Sequence, residues 1–128
     1  MIFEDDEGNS EAAIKAANNL LEKGVVAIIG PAYSGLLIDV AEKVTIPKDI
    51  LLVSHSATSE QISTLSDKNL VWRTVPSDAF QAVVSADHAF NSLKKSTASI
   101  IYVDNAYGVG LKNSFITHFE KHGGTIIN

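Results

Sequence analysis

Short apolar runs alternate with segments of helical periodicity along most of the chain. Residues 25–29 and 50–53 are runs of strand-forming side chains bounded by glycine, proline or charged residues. Between them, apolar positions recur at helical spacing over residues 36–44. This alternation is typical of βα units, in which short strands form a mainly parallel sheet and are covered on both faces. The sequence therefore predicts an α/β fold with a mainly parallel sheet.

The same patterns predict the individual elements. Helices are expected at residues 10–23, over the apolar positions 36–44, after residue 78, and over 111–119, and their N-caps are expected at Ser10, Ser34 and Asp78. Strands are expected at residues 2–3, 25–29, 50–53 and 99–103, with a short helical turn at 59–64 and less regular structure over the rest of 59–77.

Composition excludes several classes of function. The chain has 128 residues, of which 45% are hydrophobic, and its 10 basic and 15 acidic side chains give a net charge of −5. This acidic balance argues against nucleic-acid and anionic-membrane binding, because both require clustered lysine and arginine. The absence of cysteine excludes disulfides, thiol nucleophiles and thiolate metal sites. The first residues also lack the basic and apolar regions of a signal peptide.

Two glycine patterns resemble nucleotide-binding motifs only in part. Residues 30–35 have the glycine spacing of a phosphate loop, but leucines stand where a lysine must reach the phosphates. Gly108 and Gly110 begin a dinucleotide fingerprint, but Asn113 stands at the third glycine position. The sequence therefore predicts neither a nucleotide site nor a cofactor.

Candidate catalytic and metal-binding residues are also unsupported. Ser34 is not in a Gly-x-Ser-x-Gly elbow, and His55 is expected to be a solvent-exposed loop residue. His118 and His122 have the spacing of two zinc ligands, but Phe119 stands where such a site needs a glutamate. We therefore expect solvated histidines near a helix C-terminus, with no metal site and no catalytic residue.

Hydroxyl groups follow two of the predicted strands. Ser34 lies shortly after strand 25–29, and the stretch 54–59 directly follows strand 50–53. In open parallel sheets, ligands bind beyond the carboxyl ends of the strands, where hydroxyls and the N–H groups of helix N-termini suit a carboxylate. This arrangement favours ligand binding over catalysis.

Five stretches together resemble the type I periplasmic binding proteins, which receive branched-chain amino acids and related ligands for ABC transporters. Their order and spacing agree with that family along nearly the whole chain. The stretches are FEDDEGN at 3–9, VAIIGPAYS at 26–34, VSHSATS at 53–59, WRTVPSD at 72–78 and IYVDNAYG at 101–108. The resemblance implies a three-layer αβα lobe with a mainly parallel, Rossmann-like sheet.

The resemblance also implies which residues hold a ligand. Ser34, Ser56 and Thr58 would bind the α-carboxylate and α-ammonium of an amino acid, Ser56 mainly through its backbone. Tyr107 would reach the ligand from the opposite lobe. The alternative for Ser34 and Thr58 is that they only cap helices, because both residue types are common caps.

The family is bilobed, and the resemblance divides this chain accordingly. Residues 1–72 are expected to be part of one lobe, residues 73–78 the crossover between lobes, and residues 79–128 the beginning of the other. The hinge residues implied are Arg73, Thr74, Pro76, Ser77 and Asp78. The family's first strand is not present, which leaves a vacant position beside strand 25–29. We expect either strand 99–104 or a partner chain to fill it, because a free strand edge is a pairing site.

The function implied is that of a non-enzymatic receptor component of an ABC transporter, which binds a branched-chain or related amino acid. Its partners would be that solute, the membrane permease and, through exposed strand edges, a second copy of the chain. Its location would be periplasmic or extracellular. One alternative is a flavodoxin-like regulatory or protein-interaction domain without a small-molecule ligand, and another is a small hydrolase that uses Ser34 or His55.

Overall fold

A computed structural model describes residues 1–127 and divides the chain into two compact units. Unit 1 comprises Met1–Thr58 and Thr64–Val75. Unit 2 comprises Ser59–Ser63 and the chain from Pro76 onward. The segment Ser59–Ser63 thus belongs to unit 2, although the sequence places it with the first lobe.

Unit 1 is an α/β unit built on a three-stranded parallel sheet. The sheet has the order β1-β2-β3, and both of its strand pairs are parallel. Its elements are α1 at Ser10–Glu22, β1 at Ala27–Ile29, α2 at Ser34–Val40, a π-helical turn at Ala41–Thr45, a 3-10 turn at Ile46–Lys48, β2 at Leu51–Ser54 and β3 at Val71–Arg73.

The core of unit 1 lies between its helices and the inner face of the sheet. Helix α1 buries a stripe of small side chains, Ala13, Ala16 and Ala17. The absence of bulk on this stripe allows α1 to pack closely against α2, which buries larger residues. The fully buried side chains around them are Leu37, Val40, Val44 and Leu52.

Unit 2 contains two helices and a two-stranded parallel sheet. Its elements are α3 at Asp78–Asp87, a π-helical turn at His88–Ser92, β4 at Thr97–Ala98, α4 at Ala106–Lys121 and β5 at Thr125–Ile126. Phe119 is fully buried. It meets Phe90 edge to face at 6.0 Å and stacks on Phe115 at 5.3 Å. A 3-10 turn at Glu60–Thr64 confirms the short helical turn expected at 59–64.

The four predicted helices are confirmed, but each predicted N-cap is wrong by one residue. Ser10, Ser34 and Asp78 are the first helical residues, and the caps are Asn9, Tyr33 and Ser77. Asn9 Oδ1 accepts the Ala12 N–H at 2.9 Å, and Ser77 Oγ accepts the Ala79 N–H at 3.4 Å. At each of these two sites two polar residues stand side by side, so the pattern alone does not decide between them.

The strands are shorter than predicted, and two predicted strands are wrong. Residues 2–3 form no strand, and in place of strand 99–103 the structure has β4 at Thr97–Ala98, which pairs with β5. An apolar run becomes a strand only where another strand lies beside it. The expectation that strand 99–104 fills the position beside β1 is also wrong, because β4 and β5 form a separate sheet.

The sheet of unit 1 is not covered on both faces, contrary to the prediction. Ile28 of β1 is buried, whereas its neighbours Ala27 and Ile29 are exposed, Ile29 by 74%. The strand therefore alternates between a covered and an uncovered face, with the large apolar side chain of Ile29 on the uncovered one. Within residues 1–127, no helix has both the length and the apolar character that crossing a bilayer requires.

Candidate functional site

Two loops of unit 1 lie side by side at the carboxyl ends of β1 and β2. In the parallel register Ile29 is opposite Val53, so the chain leaves both strands at the same edge of the sheet. The Gly30 N–H donates to the Val53 carbonyl at 2.9 Å. Gly30 has a φ of 119°, a backbone conformation that favours glycine. The loops carry four hydroxyl residues, Ser34, Ser54, Ser56 and Thr58, which we call the hydroxyl cluster.

The buried side chain of Ser54 connects the two loops by hydrogen bonds. Ser54 is the last residue of β2, and its side chain is fully buried. Its Oγ donates to the Pro31 carbonyl at 2.8 Å and accepts the N–H groups of Ala57 at 3.0 Å and Ser56 at 3.3 Å. One hydroxyl thus joins the first loop to the second, and it holds the second in a tight turn.

Ser34 makes a second connection between the loops. Only 4% of its surface is exposed, and its Oγ accepts the Thr58 N–H at 3.2 Å. The N-cap of α2 is Tyr33, which makes no side-chain capping bond. Ser34 is therefore the first residue of α2 and not its N-cap, and its hydroxyl bonds to the neighbouring loop. Its role in ligand binding stays a prediction.

Ser56 is exposed, and its side chain faces the first loop. Its Oγ donates to the Ala32 carbonyl at 3.0 Å. The structure thus brings together Ser34, Ser56 and Thr58, three of the residues that the resemblance implicates, on two hydrogen-bonded loops. That Ser56 contacts a ligand mainly through its backbone stays a prediction.

The five residues expected in the hinge fall on both sides of the division between units. Arg73 ends β3, and Thr74 donates its N–H to the Ser54 carbonyl at 3.1 Å, so both belong to unit 1. Pro76, Ser77 and Asp78 belong to unit 2, where Ser77 caps α3 and Asp78 is buried in the first turn. Arg73 also reaches the site, because its Nη1 donates to the Thr58 carbonyl at 3.1 Å.

Tyr107 belongs to unit 2 and lies in the first turn of α4. It lines a groove of about 400 Å³ between α3, α4 and the segment 98–103. In the same groove, Lys112 Nζ lies 4.2 Å from the centre of the Tyr102 ring, a cation–π contact. The contribution of Tyr107 to a ligand site stays a prediction.

His55 and His122 take part in no catalytic or metal-binding arrangement among residues 1–127. His55 is exposed, as predicted. His122 is the C-cap residue of α4, stacks on Phe90 at 5.8 Å and has its Nε2 3.8 Å from Asp87 Oδ1. Within residues 1–127, no group of three histidine, aspartate or glutamate side chains could hold a metal ion.

Sequence reasoning missed two residues of this site. Ser54 is not among the predicted ligand-binding residues, although a serine that ends a buried strand is a signal for a buried, hydrogen-bonded hydroxyl. Arg73 was expected in the hinge, and its bond to Thr58 was not foreseen. No local pattern indicates that bond, because it joins residues 15 positions apart through the β2–β3 pairing.

Comparison with known proteins assigns these units to a class of ligand-binding receptors. A family model described as the receptor family ligand binding region matches residues 1–128. The chain belongs to this family, that of the type I periplasmic binding proteins. A curated relative is the Leu/Ile/Val-binding protein homolog 3 of Brucella melitensis, which is 29% identical over 98% of this chain and 34% of its own length.

Solved structures extend the likeness to the fold. A leucine-binding protein, LivK, from Thermotoga maritima matches with a TM-score of 0.87 and 27% identity over 96% of this chain and 35% of its own. An ABC transporter substrate-binding protein from Desulfitobacterium hafniense, in complex with Leu, matches with a TM-score of 0.83 and 27% identity over 98% and 37%. These likenesses confirm the predicted α/β fold with parallel strands. The chain spans about a third of the length of these proteins.

Proposed function

We propose that this chain is part of a solute-binding receptor for a branched-chain or related amino acid, and that it binds its ligand without catalysis. The observation that carries this proposal is the hydroxyl cluster, on two hydrogen-bonded loops at the carboxyl ends of parallel strands. Support comes from the relatives, which include a Leu/Ile/Val-binding protein homologue and a substrate-binding protein solved in complex with Leu.

The chemistry of the cluster suits the polar half of an amino acid. Hydroxyl groups both donate and accept hydrogen bonds, so they match an α-carboxylate as well as an α-ammonium. Ser34, Ser56 and Thr58 hold these two groups in the proposed complex, and Tyr107 contributes from the second lobe. Because Ser54 and Ser34 bond the loops to each other, the site is already ordered before a ligand arrives, which lowers the entropic cost of binding.

The proposed partners follow from the family. The receptor delivers its solute to the membrane permease of an ABC transporter, and it works in the periplasm or outside the cell. One of the solved structures to which the chain is similar is named an ABC transporter substrate-binding protein.

We also propose that two copies of this chain associate through exposed strand edges. Ile101 is fully exposed and Val103 is 62% exposed, in a segment that continues β4 beyond its pairing with β5. Residues 99–103 are uncharged and mostly β-branched or aromatic, which is the composition of self-pairing segments. In the proposed dimer these segments of two copies pair with each other.

A thermal melt against a panel of amino acids tests the receptor function. Leucine at about one hundred times its dissociation constant is expected to add about 2.7 kcal/mol to the free energy of unfolding and to raise the melting temperature. Thr58→Ala should abolish this shift, whereas His55→Ala, a change at an exposed residue of the same loop, should leave it intact. A cooperative melt that responds to no amino acid would overturn the receptor function and favour an interaction domain.

A further inference from the structure

The Thr58 backbone is held by side chains on both sides. Its N–H donates to Ser34 Oγ at 3.2 Å, and its carbonyl accepts from Arg73 Nη1 at 3.1 Å. The two side chains come from different elements, the start of α2 and the end of β3. A residue bonded in this way cannot rotate about its backbone without breaking one of the two bonds.

Arg73 is the single arginine of the chain, and its position in the sheet directs it to this loop. In the β2–β3 register Arg73 is opposite Ser54, the residue from which the Thr58 loop departs. The hydrogen bond to the carbonyl is partly buried. Hydrogen bonds from a charged donor are stronger than neutral ones, and partial burial protects this bond from competition by water.

Thr58 and Arg73 also lie close to the points where the chain changes units. The chain enters unit 2 directly after Thr58, and again after Val75, two residues beyond Arg73. The guanidinium–carbonyl bond therefore joins two of the segments that lead out of unit 1.

We propose that Arg73 is a positioning residue of the ligand site, which fixes the Thr58 backbone and thereby aims the Thr58 hydroxyl at the ligand. The part of this inference that concerns affinity rests on the proposed function. The part that concerns the Thr58 backbone does not, and it is measurable in the ligand-free protein.

Amide hydrogen exchange of the ligand-free protein tests the backbone role. In Arg73→Met, which keeps an apolar stem of similar length, the Thr58 amide is expected to exchange about tenfold faster than in the wild type. The matched reference is the Val71 amide, whose N–H donates to Asp67 Oδ2 at 2.9 Å in the same unit. Equal acceleration of both amides would mean general loosening, and no acceleration would mean no positioning; either result overturns the proposal.

Leucine binding separates positioning from simple charge attraction. Arg73→Met is expected to weaken leucine binding about tenfold, and Arg73→Lys is expected to restore part of the loss. The loss should persist in about 1 M salt, where the Debye length is about 3 Å and attraction between distant charges is screened. A loss that disappears in salt would overturn positioning. A wild-type protein that binds no leucine, while Thr58 exchange still responds to Arg73→Met, would refute the proposed function and leave the backbone role standing.

Discussion

Gly108 makes the closest backbone approach described in unit 2. A Cβ atom at this position would lie 2.0 Å from the Val103 carbonyl oxygen and 2.9 Å from the Val103 nitrogen. These are backbone atoms, so no side-chain rotation can relieve the contact. The glycine that begins a partial dinucleotide fingerprint is thus explained by packing of α4 against the preceding segment, without any nucleotide.

Gly108→Ala is therefore expected to lower the free energy of unfolding by about 2 kcal/mol or more, because the added methyl group forces the backbone apart. Gly110→Ala is the matched control, since its Cβ would meet Ser59 Oγ at an ordinary 3.6 Å. The control should be neutral or stabilising by up to about 1 kcal/mol, from the better helix propensity of alanine. Urea denaturation measures both, and equal stability of the two variants would contradict the packing argument.

At the scale of elements, α1 and α2 are joined by a carboxylate as well as by apolar packing. A carboxylate oxygen of Asp39 in α2 accepts a hydrogen bond at 2.6 Å from the hydroxyl of Ser10, the first residue of α1. The other carboxylate oxygen accepts a hydrogen bond from Lys43 in the following turn. The Lys43 ammonium and, second, the Ser10 hydroxyl lower the pKa of Asp39 below its ordinary value. Both bonds favour the ionised carboxylate.

A lowered pKa in the folded state means that the ionised Asp39 stabilises the fold above pH about 4, the ordinary aspartate value, and that this stabilisation is lost as pH falls through the folded pKa. Asp39→Asn is expected to reduce the free energy of unfolding by about 0.5–1 kcal/mol at neutral pH, the range for a partly solvated pair. The difference from the wild type should close as pH falls through the folded pKa of Asp39. Denaturation at several pH values checks this.

The Lys43→Met background provides the control for Asp39. There the same Asp39→Asn substitution should change stability less, because the main partner of the carboxylate has been removed. If Asp39→Asn changes the free energy of unfolding by the same amount at every pH and in both backgrounds, the substitution acts through packing and not through the charge of Asp39.

The helices were more predictable than the strands for a physical reason. A helix satisfies its backbone hydrogen bonds within one segment, so the spacing of apolar residues in α1 and α4 was sufficient to identify them. A strand requires a neighbour whose identity is not local. The run 99–103 has strand composition but no strand beside it in the described structure, whereas the pair β4–β5 forms at Thr97–Ala98.

At the scale of the whole molecule, exposed apolar side chains are the feature that most affects behaviour in solution. Ile29 on the uncovered face of β1 and Ile101 in the segment after β4 are both large and exposed, one in each unit. An exposed apolar segment that can pair as a strand is a site of association unless a charge or a covering element blocks it.

Self-association is therefore expected to depend on Ile101. The weight-average mass of the wild type in sedimentation equilibrium should rise toward that of a dimer with increasing concentration, and Ile101→Lys should keep the chain monomeric because a charge on the edge opposes pairing. Val84→Lys is the matched control, since Val84 is 67% exposed but lies on helix α3. Monomeric wild type, or equal effects of the two lysines, would refute pairing through this segment.

Local patterns in this chain were enough to place its helices, its parallel α/β class and the hydroxyl residues Ser34, Ser56 and Thr58 beyond the strands. Each of these depends on residues close together in the sequence. Tertiary structure decided the rest: that Ser54 and Arg73 brace the Thr58 loop, and that residues 99–103 stay outside a sheet. The hydrogen bonds from Ser54 to Pro31 and from Arg73 to Thr58 join residues 23 and 15 positions apart. They exist only because strand pairing brings distant segments into hydrogen-bonding distance, which local spacing does not encode.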